Sequence, residues 1–145
     1  MAWFFSQPPK KYADWLDESI YEEAEFTIMD LIKLSQSHKV VADVYIPPDI
    51  LVKIADKTQV VLLFAPEEMT KKHYFDRADK DDIYQFIRSF PDGEQLLNNV
   101  VEALHYNSAA NREGYVNSGF YYIERAADDT VEKTLELIEK HSGLF

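Results

Sequence analysis

Asp43, Arg77 and Arg125 are the side chains whose type and setting could do chemistry. Asp43 interrupts an otherwise apolar stretch, Val40-Val41-Ala42-Asp43-Val44-Tyr45-Ile46. A carboxylate in a covered strand must be paired, hold a metal or face a cleft, because an isolated buried charge is costly. Two roles suit it: capping neighbouring backbone N–H groups, or holding a magnesium-bound water or an acceptor hydroxyl. Arg77 follows Tyr74-Phe75-Asp76 in a polar segment. It either pairs with Asp76, Asp79 or Asp81 on the surface, which is worth only about 0–1 kcal/mol, or neutralises phosphoryl charge from a lid. Lys71, Lys72, Lys80 and Arg88 would support that local field. Arg125 closes another apolar run, where it either snorkels beside the sheet or reaches a ligand.

Other chemistries find no residues to carry them. The chain has no cysteine, so disulfides, thiolate catalysis and cysteine-held zinc are excluded. His38, His73, His105 and His141 lack metal-ligand spacing. Asp79-Lys80-Asp81-Asp82 lacks the glycine and closing glutamate of a calcium loop. The only glycines stand at 93, 114, 119 and 143, so neither G-x-x-x-x-G-K-[ST] nor G-x-G-x-x-G occurs.

Short β-rich elements must position these residues. Val40–Ile46 and Val60-Val61-Leu62-Leu63-Phe64-Ala65 are apolar on both alternating faces, as in strands of a parallel sheet covered on both sides. Pro47-Pro48 opens a short helix between them, giving a βαβ unit with a right-handed crossover. Ligands of such sheets gather at the carboxyl ends of the strands. Gly119–Arg125 is a third strand candidate.

Helical periodicity runs over 17–35, where Ile20, Ala24, Ile28 and Leu31 share a stripe that Tyr21 and Ile32 widen. Ala65-Pro66-Glu67-Glu68-Met69 reads as a short helix. Ile83, Phe86, Ile87 and Phe90 mark the next helix, capped by Asp79 or Asp81. Leu96, Leu97, Val100, Val101 and Leu104 mark another, and polar 107–117 reads as a loop. Asp128-Asp129-Thr130 caps a last helix with Val131, Leu135 and Ile138 buried and Gly143 at its end. Residues 1–16 are an aromatic opening without a clear helical period, and 71–90 are lid-like. The sum is one α/β domain over 1–145: three layers, with a short, mostly parallel sheet of about three strands flanked by helices.

Composition sets outer bounds. At 145 residues, 46% hydrophobic and 14% aromatic, the chain can bury a core of its own, about 70% of its unfolded surface. No apolar run approaches the about 20 residues a bilayer requires, and the opening lacks the form of a signal peptide, so no membrane and a cytoplasmic setting are expected. A net charge of −11 opposes nucleic-acid binding but leaves room for one nucleotide held by local cations and magnesium.

The order of these parts resembles the P-loop kinase superfamily, of the adenylate-kinase or shikimate-kinase type. Val40–Asp43 with Tyr45-Ile46-Pro47 is similar to its Walker-B-like strand, Val60–Ala65 to the strand before the lid, Tyr74–Arg77 to the lid, and Gly119–Arg125 with the last helix to the closing unit. The resemblance covers roughly 17–145 and lacks the Walker A strand and loop, so it implies an incomplete kinase-like fold, the carboxyl-terminal part of a longer protein. It implies a phosphotransferase using ATP and Mg2+, with Asp43 at the metal or acceptor, Arg77 at the transferred phosphoryl and Arg125 at the nucleotide. A small-molecule acceptor would lie near Trp15 and Tyr45. Two other functions fit the residues: a non-catalytic binding module, and a self-associating domain whose open sheet edge is closed by a second copy as a homodimer.

Overall fold

The structure, a computed structural model, describes residues 2–66, 74–75, 80–126 and 128–143. Helix α1 (Ala2–Phe5) leads through Pro8 into α2 (Pro9–Ser35), whose first position is a proline, where a missing N–H costs nothing. A segment without regular secondary structure then runs to α3 (Pro48–Ile54). A single 3₁₀ turn, Lys57–Gln59, is closed by a capping box between Asp56 and Gln59 and feeds β1 (Val61–Phe64). Helices α4 (Asp81–Arg88) and α5 (Gly93–Asn117), strand β2 (Tyr121–Glu124) and α6 (Val131–Ser142) complete the order.

Helix α5 is the spine. Its Leu96, Val100 and Ala103 meet Phe5 of α1, Tyr12 and Ala13 of α2 and Ile87 of α4 in one buried cluster. Ala13, Ile87 and Ala103 are fully buried, so small residues let the long helices approach while Ile87 fills the space between them. The aromatic opening is therefore helical and packs back on the domain: Phe4 meets Phe5, Tyr12 and Trp15 edge-on, and Tyr12 stacks on Trp15. Residues 107–117 are also helix rather than loop, because Asn111 bonds Asp17 of α2 and Tyr115 is buried. Along α2 the inner stripe holds at Ala24, while Tyr21 and Ile32 are exposed. On α6 only Thr134 is buried, and Val131 and Leu135 lie in solvent. Thr130 caps α6 through the Lys133 N–H, and Gly143 ends it in the left-handed region, as its sequence indicates. Helix α4 has Lys80 at its N-cap position, with Asp81 and Asp82 in its first turn and no side-chain cap hydrogen bond.

The chain is mixed α/β and mostly helical, with a small sheet. Among the described residues the sheet has two strands, β1 and β2, which run parallel with Val61 opposite Tyr121 and Phe64 opposite Glu124. A second buried cluster, Leu62, Tyr115 and Phe120, joins the sheet to α5. The expected third strand does not form. Residues 40–45 carry no regular secondary structure and Val41 is 81% exposed. Composition favours a strand here, but a strand exists only through a neighbour that takes its backbone hydrogen bonds. The three-layer sheet of three strands is accordingly reduced to a parallel pair. The short helix expected at 65–69 and most of the lid lie outside the described residues.

Gly119 makes the turn from α5 into β2 with φ +78°, following the helix end at Ser118. A Cβ there would meet only the far end of the Lys57 side chain, Nζ at 2.9 Å and Cε at 3.6 Å. Gly119→Ala should therefore lose about 1–2 kcal/mol from backbone strain alone, and a urea midpoint unchanged from wild type would contradict that conformation.

Candidate functional site

Among the described residues, a groove of about 1980 Å³ is bordered by α2, α3, α5, β1 and the irregular segment 40–46. Its position along the sheet follows from which residues line it. Consecutive strand residues point to opposite faces. Every residue from Val60 to Pro66 lines the groove, so it follows an edge of β1 rather than a face. Of β2 only the carboxyl end contributes, Glu124 and the following Arg125, so the edge concerned is the one turned away from β2. Every residue from Val40 to Ile46 lines it as well.

The carboxyl ends of β1 and β2 lie at one end of the sheet because the strands are parallel. There the Arg125 N–H continues the ladder to Phe64 O at 2.9 Å. Arg112 of α5 pairs with Glu124 and sets its guanidinium over the Phe64 ring, 4.6 Å from the centroid. Beside Arg125, the Asp129 carboxyl sits below its ordinary range because Lys133 and the Ala126 N–H bond to it, with Arg125 adding attraction. This end of the groove thus carries the Arg112–Glu124 pair and Arg125, with Ala65-Pro66 leading away.

Tyrosines anchor the segment opposite in sequence. The Tyr115 hydroxyl donates to Ile46 O at 2.6 Å, and its ring meets Tyr45 edge-on at 5.8 Å. Burial, then the neighbouring Tyr45 and Asp17, raises the Tyr115 hydroxyl far above its ordinary value. Burial also raises Tyr45, partly offset by its hydrogen bond with Tyr115. Tyr21 of α2 donates to Asp49 of α3 at 2.8 Å, which fixes the start of α3 just beyond Ile46.

Three of the sequence candidates, Asp43, Tyr45 and Arg125, line this one groove. Asp43 is exposed rather than buried in a strand, so it is neither an internal cap nor forced into a pair. Its carboxylate is open to solvent because the segment carrying it has no sheet to enter. Trp15 does not join them: it lies in the α1–α2 aromatic cluster with Phe4 and Tyr12. Arg77, Lys71 and Lys72 lie outside the described residues. Sequence reading passed over Arg112 and Tyr115, which sit in a stretch whose polarity reads as loop. A tyrosine and an arginine one helical turn apart, Arg112 and Tyr115, were the available signal. Among the described residues no three His, Asp or Glu side chains converge as a metal cluster, and no helix is long and apolar enough to cross a membrane. No protein-family model, curated protein or solved structure matches the chain.

Proposed function

We propose that this chain carries one side of an ATP-dependent phosphotransfer site of the P-loop kinase-like kind, acting on a small molecule or nucleotide. The observation that supports this reading is that Asp43, Tyr45 and Arg125, from distant parts of the sequence, line one groove along the edge of a parallel strand pair, with Arg125 just past its carboxyl end. Ligands of open α/β sheets gather at that end. In this reading Asp43 orders a magnesium-bound water or the acceptor hydroxyl, Tyr45 flanks the acceptor, and Arg125 faces the nucleotide phosphates, with Arg77 on the transferred phosphoryl. Trp15 stands further off, on the α1–α2 cluster, so an acceptor role for it requires a large acceptor. The sequence has no phosphate-cradling glycine loop. Phosphoryl transfer is catalysed almost wholly by positioning and charge neutralisation, so the chain by itself should turn over no ATP.

Calorimetric titration with ATP, with and without Mg2+, tests the reading. Arg125→Ala should weaken binding roughly ten-fold, since a charge-assisted hydrogen bond contributes about 1.5–3 kcal/mol. Asp43→Asn should abolish the difference that Mg2+ makes. ATP affinity indifferent to both changes would remove the basis for these roles. A second reading, a non-catalytic binding module, draws on the exposed apolar side chains of α2, where Phe26 is 70% and Met29 66% exposed. A chain blind to nucleotide, yet retaining a macromolecular partner, would favour it.

A further inference from the structure

Among the described residues, the groove is lined by one strand edge and one irregular length of backbone that have no ladder. Along β1, the edge turned away from β2 faces the groove. Across residues 40–45, among the described residues, no backbone N–H or C=O makes a hydrogen bond within the protein. Residues 40–45 are rich in valine and β1 in leucine, and the exposed members Val41, Val44 and Leu63 all line the groove. An open edge of this kind is a template for another strand.

We propose that the groove seats one extended apolar β-strand supplied by another polypeptide segment, which pairs with the open edge of β1 and, on its other side, with residues 40–45. This goes beyond the phosphotransfer reading and does not depend on it. Two observations select that occupant. At about 1980 Å³ the groove exceeds the roughly 300–1,000 Å³ typical of small-ligand sites, while offering apolar walls and unpaired backbone along its length. The chain's net charge of −11 opposes a second copy and favours a strand flanked by lysine or arginine. In strand addition the backbone supplies affinity, and alternate side chains supply selectivity. Here the alternate side chains would rest on the aliphatic wall formed by Ile28, Leu31 and Leu51.

The test uses the whole 145-residue chain and a peptide with a Val-Ile-Val-Ile-Val centre between lysine pairs, without nucleotide. Calorimetry should give saturable binding, and amide exchange in β1 and in residues 40–45 should slow about ten-fold or more. The same peptide N-methylated at alternate amides keeps its side chains but cannot complete a ladder, and should lose that binding. Equal binding of the two peptides would reduce the groove to an apolar surface and overturn the proposal. So would failure of the unmodified peptide to bind a chain that circular dichroism shows folded. If sedimentation shows a dimer whose β1 and 40–45 amides are already protected, a second copy holds the groove and the proposal is likewise overturned. Because no nucleotide is present, failure here leaves the ATP titrations untouched, and failure there leaves this result standing.

Discussion

Ile87→Ala is expected to cost about 2–5 kcal/mol, a large share of the roughly 5–15 kcal/mol that holds a domain of this kind together. Ile87 has no exposed surface and is the largest side chain so buried. It lies where α4 meets α5, against a cluster drawn also from α1 and α2, so its loss leaves a cavity with walls on several elements. Rigid helices collapse poorly onto such a void, which places the expectation above the bare transfer energy of the lost methylenes. Ile83 on the same helix is 38% exposed, and Ile83→Ala should cost less than about 1 kcal/mol. Urea unfolding of the two variants, compared at equal slope, measures the difference. Equal losses would mean that α4 does not present Ile87 to the core.

Tyr115→Phe should cost about 1–3 kcal/mol, because it leaves the carbonyl of buried Ile46 without its hydroxyl donor. The same change should alter the response to alkali. In the unfolded chain a tyrosine releases its proton near pH 10. In the folded protein, burial and the adjoining Tyr45 keep the Tyr115 hydroxyl protonated well above that. Above pH 10 the folded state therefore binds more protons than the unfolded state, and stability falls as pH rises, by up to about 1.4 kcal/mol per unit for this group. Below pH 10 both states hold the proton and the contribution is complete. The phenylalanine variant should be less stable at neutral pH and lose stability less steeply above pH 10. Residual steepness is expected, since Tyr12 and Tyr45 are also raised by burial. Parallel pH–stability curves for variant and wild type would show that Tyr115 is not shielded as described.

Elements whose signals are local were readable before any coordinates. Ile83, Phe86, Ile87 and Phe90 recur at helical spacing, Thr130 and Gly143 bracket α6, and both strands of the sheet lie within runs of apolar and aromatic residues. These depend on neighbours within a turn or two, which the sequence itself places side by side. The aromatic opening and residues 107–117 were not readable in this way. Phe4 and Phe5 become helical against Tyr12 and Trp15, and a polar stretch stays helical because Asn111 and Tyr115 meet partners on α2 and at Ile46.

For the candidate site, residue type alone identified Asp43, Tyr45 and Arg125 as chemically able, and the absence of cysteine and of glycine loops restricted what they could do. Only the tertiary structure brought these three to one groove, added Arg112 and Tyr115, and set Trp15 elsewhere. It also decided against a strand at 40–45, whose composition is that of a buried sheet. Side-chain preference is carried by each residue, whereas a ladder needs a second backbone at hydrogen-bonding distance, and that is a property of the assembled fold.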